Sequence, residues 1–269
     1  MNFIEKLEIE KINESKLLIY SLGQSGYRLS LKNLTVYIDP YLTDYIENSA
    51  GLNDKYMSRN FPSPIDPSLI KKCDAIICTH SHIDHMDPWT INKIGTNFRL
   101  FTSIGSYNKS ELIVPQSRIT FLYPNKTFKI GEITILPFPA AHYELTDQFG
   151  RPDCLSILIK WGGKTLFFWG DGINFKEQND MLSDFDFDYF FAPINGRDNY
   201  REKRGIVGNI KGSELAEFCE KLSIKHIIPN HYDMFVNNTG SVDLFKKEVE
   251  KINSNQSIIV LNCGDKIEI

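Results

Sequence analysis

Three histidines and an aspartate lie within six positions, from His80 to His85, in the segment CTHSHIDHMDP. These three histidines are half of the six in the chain. An extended segment places His80 and His82 on one side, and a following turn can bring Asp84 and His85 to a neighbouring point. Neutral imidazole and carboxylate are donors that bind zinc, manganese and iron. The spacing predicts a metal site, and the alternative is a polar loop at the start of a helix.

Further donors follow other predicted strands. They are His142 in PFPAAHYE, Asp171 at the end of TLFFWGD and His231 in KHIIPNHYD. Taken singly, each has an ordinary structural role, since an Asp-Gly pair usually makes a turn and an isolated histidine usually forms a hydrogen bond in a loop. Beside the cluster, we interpret them as the remaining ligands of a two-cation site. His226, which lies within a predicted strand, is interpreted as a packing residue.

Short strands must position these residues. KLLIYSLG (16–23), GYRLSLK (26–32) and LTVYID (34–39) predict a meander, because turn residues separate them. AIICT (75–79) predicts a strand buried on both faces, directly before the histidine cluster. Further strands are predicted in RLFTS, RITFLY, FKIGEITILPF, CLSILIKW, KTLFFWGD, KHIIP, SIIVL and KIEI.

Helices are predicted at four places. They are a short helix over 66–72, WTINKI after the Asp87-Pro88 cap, 213–222 with Ser213 as its cap, and 241–252. Strands in meanders, followed by strands alternating with helices, indicate an α/β fold in which helices cover two sheets.

Two expectations concern the organisation of the chain. The segment from Pro40 to Pro67 has little periodicity and ends in a proline cluster, so we interpret it as a loop that covers the substrate. No low-complexity linker divides the sequence, and we expect one domain over residues 1–269.

Composition bears on the class of function. The formal net charge of −4 argues against sequence-independent binding of nucleic acid. Five scattered cysteines without a C-x-x-C pair favour reduced thiols and a cytoplasmic protein. The N-terminus lacks the apolar run of a signal peptide, and no stretch reaches the roughly 20 apolar residues of a membrane span. We therefore expect neither nucleic acid nor a membrane as a partner.

The order H-x-H-x-D-H, then a lone histidine, an aspartate in a G-D step and a final histidine resembles the metallo-β-lactamase superfamily. The resemblance covers essentially the whole chain from residue 16. It implies a four-layer αβ/βα sandwich, with two mixed β-sheets flanked by helices and a site at the sheet edge. It also implies one cation held by His80, His82 and His142, a second held by Asp84, His85 and His231, and Asp171 between them.

Several segments are similar to the branch of that superfamily that contains L-ascorbate-6-phosphate lactonase. They are LGQSGYRL, VYIDPYL, THSHIDHMDP, FFWGDG, INGRD and IIPNHYDMF. This resemblance implies a metal-dependent hydrolase that opens the lactone ring of a phosphorylated sugar acid. The expected cofactor is one or two divalent ions per chain, Mn²⁺ or Zn²⁺, with Fe²⁺ also compatible. The expected partners are a small anionic substrate and further copies of the chain in a homo-oligomer.

Two cations about 3.5 to 4 Å apart would lower the pKa of a water molecule and polarise the bond that it attacks. In this scheme Asp84 orients the water and moves its proton, and Asp171 is the second catalytic carboxylate. Asp39 and Asp233 are interpreted either as acceptors for the second N–H of a ligand histidine or as turn residues.

The anionic group of the substrate would need cations near the metal site. Arg197 and Asn209 lie in segments similar to the lactonase branch and are predicted to bind the substrate, and Arg59 is a further candidate. The cations of NYREKRG, which are Arg201, Lys203 and Arg204, are interpreted as a solvated loop.

Two other functions stay open. A phosphodiesterase or nuclease could use the same dinuclear core, although a nuclease should carry more basic surface than this acidic chain has. From another class, the chain could be a non-catalytic metal-binding scaffold. Sequence alone leaves both as alternatives to the lactonase.

Overall fold

The first sheet combines an antiparallel meander with parallel strands. The computed structural model describes residues 16–49 and 58–269. From edge to edge the sheet contains β14 (Lys266–Glu268), β1 (Leu18–Gly23), β2 (Gly26–Leu31), β3 (Leu34–Ile38), β4 (Ala75–Cys78), β5 (Arg99–Ser103) and β6 (Ile119–Leu122). Strands β1 to β3 are antiparallel, and β3 to β6 are parallel.

The second sheet is also mixed. Its first four strands along the chain are antiparallel, and the remaining pairs are parallel. Gly162 and Gly163 form the predicted hairpin turn, and both have positive φ. From edge to edge the sheet contains β13 (Ser257–Ile258), β12 (Ser223–Asn230), β11 (Asp186–Pro193), β10 (Lys164–Phe168), β9 (Cys154–Trp161), β8 (Ile133–Ala140) and β7 (Phe128–Ile130).

The helices within the described residues are short. They are α1 (Tyr45–Ser49), α2 (Pro88–Lys93), α3 (Tyr107–Ser110), α4 (Gln178–Leu182), α5 (Asn199–Glu202), α6 (Gly212–Cys219) and α7 (Val242–Ile252). The prediction for α2 is confirmed, because the Asp87 carboxylate accepts a hydrogen bond from Trp89 N at 2.9 Å and Pro88 is the first helical residue. None of the helices in residues 16–49 and 58–269 combines the length and apolar character needed to cross a lipid bilayer.

The predicted helix over 66–72 is wrong in extent. The structure has a single 3₁₀ turn over Pro67–Leu69, in which Asp66 accepts a hydrogen bond from Ser68 N at 2.9 Å. At Ile70 the chain is already extended, with ψ of 113°. The local aspartate cap therefore stabilises one turn, and the chain leaves it to approach β4.

Ser213 does not cap α6. The helix begins at Gly212, and Lys211 is the residue at the N-cap position. The Glu214 carboxylate accepts a hydrogen bond from Lys211 N at 3.0 Å. This carboxylate, rather than the serine hydroxyl, satisfies a free N–H group at the helix start.

Apolar side chains form three layers. The central layer takes residues from both sheets, such as Ile38 and Ile77 from the first and Ile157 and Phe168 from the second. A second cluster joins the first sheet to α2, and a third joins the second sheet to α6 and α7. This arrangement confirms the predicted fold of two mixed sheets flanked by helices.

The segment from 40 to 67 is less featureless than predicted. It contains α1, and Arg59 forms an isolated β-bridge with Phe235. Residues 50–57 of the predicted substrate-covering loop lie outside the described residues, so that interpretation stays a prediction.

Candidate metal centre

The candidate ligands all follow strands that run in the same direction within their sheet. In the first sheet, β1, β3 and β4 share a direction, and in the second, β8, β10 and β12 do. Side chains placed just after such strands meet at one edge of each sheet. The residues that follow these six strands are Gln24, Asp39, the turn 80–85, His142, Asp171 and His231.

Two groups of donor atoms lie at this edge. His80, His82, His142 and Asp171 form the first group, and Asp84, His85 and His231 form the second. Within each group the donor atoms lie within 4.8 Å of one another. The structure therefore brings His142, Asp171 and His231, which are distant in sequence, next to the histidine cluster.

Asp171 contacts both groups. Its Oδ1 lies 3.3 Å from His85 Nε2, and its Oδ2 lies 3.3 Å from His231 Nε2 and 3.8 Å from His142 Nε2. A carboxylate with two oxygens can face two cations at once. Its place between the groups suits the bridging position that the resemblance implies.

Several of these donor atoms lack a hydrogen-bond partner. His80 Nε2 and His142 Nδ1 are buried and form no hydrogen bond within the part of the chain that the structure describes, and His85 Nε2 and Asp171 Oδ1 lie 3.3 Å apart without hydrogen-bond geometry. Buried polar atoms are normally paired, so these donors at one edge of the sheets require an explanation. Divalent cations fit them, because imidazole nitrogen and carboxylate oxygen are the donors such ions prefer.

A tight turn gives the cluster its shape. After β4 the chain turns so that His85 N and Met86 N both donate to His82 O, at 3.0 and 2.7 Å. The Asp87 carboxylate, which caps α2, also accepts a hydrogen bond from Thr43 Oγ1 at 2.7 Å. These contacts fix the turn between strand and helix, and with it the directions of the histidines.

Asp39 supports the cluster from beneath. Its Oδ1 accepts from Thr79 N at 2.7 Å, and its Oδ2 accepts from Thr79 Oγ1 at 2.8 Å and lies 2.8 Å from His85 Nδ1. The structure thus gives Asp39 the contact proposed for it. Asp233 has no comparable contact in the described residues: its main-chain carbonyl accepts from Asn60 Nδ2, and no histidine bonds to its carboxylate.

The second donor group carries both signs of charge. Burial opposes protonation of His85 and His231, yet the Asp171 carboxylate and its neighbours outweigh burial, raising the pKa of His85 well above its usual value and that of His231 to about 9. Burial acts against ionisation of Asp171 and Asp84, but the histidines hold the pKa of both carboxyls below the usual value. A cation bound here replaces histidine protons.

The first group behaves differently. Burial lowers the pKa of His80 well below its usual value, that of His142 to about 4, and that of His82 also downward. These imidazoles are neutral at pH 7 and ready to bind a cation without losing a proton. Cation binding at the two groups should therefore depend differently on pH.

Strained backbone is concentrated around the centre. Gln24, Asp39, Tyr143 and His231 have φ of 53°, 42°, 71° and 55°. Residues other than glycine rarely adopt this left-handed region, and such backbone strain is frequent at functional sites. Each of these residues is a candidate ligand, contacts one, or directly follows one in the chain.

Glycine is required on both sides of Asp171. A Cβ on Gly170, at φ of 71°, would lie 2.9 Å from Leu155 O and 3.0 Å from Thr79 Cβ. A Cβ on Gly172, at φ of 141°, would lie 2.6 Å from Ala141 O. Without a Cβ at either position, the turn after β10 can pack closely against Thr79 at the edge of the first sheet and against Leu155 and Ala141 at the edge of the second.

Asn209 does not sit where a substrate could touch it. It is fully buried, its Oδ1 accepts from Gly172 N at 2.8 Å, and its Nδ2 donates to Asn195 Oδ1 at 3.1 Å. Both ends of the amide are thus engaged. The predicted substrate contact is corrected to a positioning role for the turn after Asp171.

The predicted arginines already have protein partners. The Arg197 guanidinium forms a two-point ion pair with Glu214, at 2.7 and 2.8 Å. The side chain of Arg59 is buried, and it donates to Tyr41 O at 3.0 Å and to Phe61 O at 3.2 Å. Binding of an anion by either residue stays a prediction, and it would require these contacts to be shared or exchanged.

Two residues near the centre escaped the sequence analysis. Gln24 lies against Asp84 and His231, and the only signal for it was its place in LGQSGYRL after β1. Lys109, an exposed residue of α3, donates to Ser81 O at 3.3 Å, and no sequence motif indicates it. Lys109 is thus a cation beside the histidine turn.

Two other basic residues lie away from the ligands. Arg201 is buried, bonded to Asp198, Asn238 and the carbonyl of Asn195, so its interpretation as solvated is wrong. His226 in β12 stacks on Tyr189, and its Nδ1 lies 2.8 Å from Ser257 Oγ, as expected of a packing residue.

Comparison with known proteins identifies the family. The model of the beta-lactamase superfamily domain matches residues 35–232, which is more than half of the chain. The chain belongs to the metallo-β-lactamase superfamily. A histidine and aspartate metal-binding cluster in a member of this superfamily marks it as a metal-dependent hydrolase.

Relatives of the superfamily member cover most of its length. A UPF0173 metal-dependent hydrolase of Pyrococcus furiosus is 25% identical over 229 residues, covering 84% of this chain and 95% of the relative. One of Thermodesulfovibrio yellowstonii is 25% identical over 276 residues, covering 92% and 90%.

Solved structures of other proteins share the fold. A metallo hydrolase from the archaeon Ignicoccus hospitalis has a TM-score of 0.69 at 18% identity, covering 94% of this chain and 98% of that one. An isothiocyanate hydrolase from Delia radicum gut bacteria has a TM-score of 0.72 at 14% identity, covering 93% and 98%.

Proposed function

We propose that the protein hydrolyses a small anionic lactone, with the lactone of a phosphorylated sugar acid as the first choice of substrate. The observation that carries the proposal is the convergence of two cation-binding donor groups on the shared carboxylate of Asp171. The lactone itself is inferred from the resemblance of motifs along the chain to the lactonase branch. The alternative of a phosphodiesterase uses the same donors and differs in substrate.

Bound divalent cations supply a Lewis acid that lowers the pKa of water and polarises the carbonyl group. The residues of the chain do the rest. Burial opposes ionisation of the Asp84 carboxyl, but His85 and His231 hold its pKa below the usual value, so Asp84 is ionised at neutral pH. It can accept a hydrogen bond from the attacking water and orient it.

The proposed reaction is addition of water oxygen to the lactone carbonyl carbon, followed by cleavage of the bond to the ring oxygen. The ring oxygen takes one proton of the attacking water and leaves as an alcohol, and the other product is a carboxylic acid that releases its proton to solvent and becomes a carboxylate. We assign to Asp84 the transfer of that proton between the two oxygens. Within this scheme the chain needs no serine or cysteine nucleophile.

The rim of the centre has groups suited to a small polar molecule. Lys109 offers a positive charge beside the histidine turn. Tyr143 stacks on His142 with ring centroids 6.5 Å apart and donates its hydroxyl to Glu202 at 2.7 Å. We assign binding of the anionic group of the substrate to Lys109. Arg197 is a second candidate, and it would have to share or exchange its ion pair with Glu214.

The test compares three substrates with protein reconstituted with Mn²⁺ or Zn²⁺. They are a phosphorylated sugar-acid lactone, its unphosphorylated counterpart and a bis-aryl phosphodiester. We expect the phosphorylated lactone to be hydrolysed with a kcat/KM about 10-fold or more above its counterpart, which corresponds to one charge-assisted contact. Lys109→Met should remove that preference, whereas the control Lys251→Met, on the distant helix α7, should keep it.

Two results would overturn the proposal. Rapid turnover of the phosphodiester with no lactone hydrolysis would assign the centre to a phosphodiesterase. Metal-loaded protein that turns over none of the three substrates would favour the scaffold alternative.

A further inference from the structure

We infer that Gln24 supplies an eighth protein donor to the metal centre, through its side-chain amide oxygen, at the second donor group formed by Asp84, His85 and His231. The inference rests on the proposed function in that both require cations at this cluster, but it is independent of which substrate is hydrolysed. It makes the second group richer in oxygen than the resemblance implies.

The backbone ties Gln24 to the second group. Gln24 directly follows β1, and its main-chain carbonyl accepts a hydrogen bond from His231 N at 3.1 Å. Both residues have positive φ, 53° for Gln24 and 55° for His231. Two strained residues, distant in sequence and hydrogen-bonded to each other, bring their side chains to the same point, and contacts made there stabilise such strain.

The end of the Gln24 side chain lies at ligand spacing. The atom Nε2 is 2.8 Å from Asp84 Oδ2 and 2.9 Å from His231 Nε2. Those two ligand atoms are 3.2 Å apart, and His231 Nε2 lies 3.3 Å from Asp171 Oδ2. Ligands at right angles around a small divalent cation with bonds of about 2.1 Å lie roughly 3 Å from each other. The amide end of Gln24 is thus spaced from the ligands as they are from one another.

The chemistry of the amide selects the oxygen. An amide nitrogen carries two hydrogens and has no lone pair for a cation, whereas the carbonyl oxygen is a good donor to hard cations. The terminal torsion of glutamine is broad and roughly twofold, so a half-turn that exchanges the two atoms has little torsional cost. The half-turn breaks no hydrogen bond of Gln24 Oε1, which is buried and has no partner among the described residues. It gives up the hydrogen bond from Nε2 to Asp84, and a contact of the oxygen with a bound cation would replace that bond.

An eighth donor has a consequence for metal choice. Asp84, His85, His231 and the shared Asp171 already make four donors, the number that zinc usually takes. An added neutral oxygen raises the number to five and suits manganese, which accepts more oxygen ligands. Gln24 should therefore strengthen binding of Mn²⁺ at the second group more than binding of Zn²⁺.

The experiment titrates metal-free protein with Mn²⁺ and separately with Zn²⁺, by calorimetry, and counts bound Mn²⁺ by electron paramagnetic resonance. In Gln24→Leu we expect one Mn²⁺ to bind as in the unmodified chain and the second to weaken by about 10-fold or more, the range seen when a metal site loses a supporting contact. Binding of the second Zn²⁺ should change by less than about 3-fold, because four donors remain.

Matched variants keep the test decisive. Gln178→Leu is the control, because Gln178 is also buried, lies in α4 and has an unpartnered Oε1. Gln24→Asn tolerates the positive φ but withdraws the amide by one methylene, so it should also weaken the second Mn²⁺. Gln24→Glu presents only oxygens, and we expect it to keep or tighten that ion.

Two outcomes would overturn the inference. One is Gln24→Leu that binds both Mn²⁺ ions as the unmodified chain does. The other is Gln24→Glu that loses the second ion, which would make the amide a hydrogen-bond donor to Asp84. If the unmodified protein binds two Mn²⁺ ions and hydrolyses no lactone, while Gln24→Leu loses the second ion, the proposed substrate is refuted and the role of Gln24 is supported.

Discussion

Asp39 Oδ2 lies 2.8 Å from His85 Nδ1, and both side chains are completely buried. When His85 loses one proton to bind a cation, this contact keeps the remaining proton on Nδ1 and leaves Nε2 as the ligand atom. Nε2 of His85 is one of the buried atoms without a hydrogen-bond partner in the described residues. A residue placed after one strand thus sets the direction of a ligand placed after the next.

Replacing Asp39 should weaken metal binding without removing a ligand. In Asp39→Asn we expect affinity for the second cation to fall by about 10- to 100-fold, because the amide can no longer accept from both His85 and Thr79. Calorimetric titration measures the effect. Asp233→Asn is the control, since no described histidine bonds to the Asp233 carboxylate, and equal losses in the two variants would contradict the assignment.

Replacing Asp171 tests whether the centre is catalytic. Asp171→Ala removes the carboxylate shared by the two groups, so we expect lactone turnover to fall by at least about 1,000-fold while the protein stays folded. Steady-state kinetics and circular dichroism measure the two effects. Asp188→Asn, in β11 and paired with Lys225, should retain activity. If Asp171→Ala kept most of the turnover, the reaction would take place elsewhere.

Cation binding at the second donor group should release a proton from His231. The Asp171 and Asp84 carboxylates outweigh burial and raise the pKa of His231 from 6.5 to about 9, so in metal-free protein it is protonated at pH 7. A histidine must be neutral to bind a cation, so affinity at the second group should rise as pH increases towards 9. Titration at pH 7 in two buffers of different ionisation enthalpy should show net proton release, and no release would contradict the charge state.

The same proton stabilises the metal-free fold. Because the folded pKa of His231 is above its unfolded value, the stabilisation is fully present below pH 6.5 and is lost as pH rises through about 9. Protein freed of metal by a chelator should therefore have a lower melting temperature at pH 9.5 than at pH 7. Metal-loaded protein should show a smaller decrease, because the cation has replaced the proton.

Gly172 should tolerate no side chain. In Gly172→Ala the new Cβ would lie 2.6 Å from Ala141 O, and φ is 141°. We therefore expect the free energy of unfolding to fall by about 2 kcal/mol or more. Gly163→Ala is the matched control. It also has positive φ, at 74°, but its Cβ would meet nothing within 4 Å. Chemical denaturation compares them, and equal stabilities would rule out the close contact as the reason for glycine.

The positions of the candidate ligands can be read from the sequence because these residues lie just after predicted strands. Periodicity locates β4, β8, β10 and β12, and residue type then marks the donors that follow them. Parallel direction brings those ends together, so no side-chain detail is needed. The same reasoning predicts two sheets flanked by helices.

Contacts that depend on side-chain direction are less accessible to sequence. The sequence predicts that Arg197 binds the substrate, but its guanidinium pairs with Glu214 in the first turn of α6. Asn209 was expected at the surface of the site, but it is buried beneath the turn after Asp171. Gln24 was overlooked, since a glutamine in a turn carries no signal until the fold brings Asp84 and His231 to it.

The most direct measurement is the position of bound manganese in crystals of the metal-loaded protein, located by its anomalous scattering. We expect two peaks that share Asp171, one among His80, His82 and His142 and the other among Asp84, His85 and His231. Manganese bound only at other sites, or no peak at this edge of the sheets in protein that hydrolyses its substrate, would contradict the account.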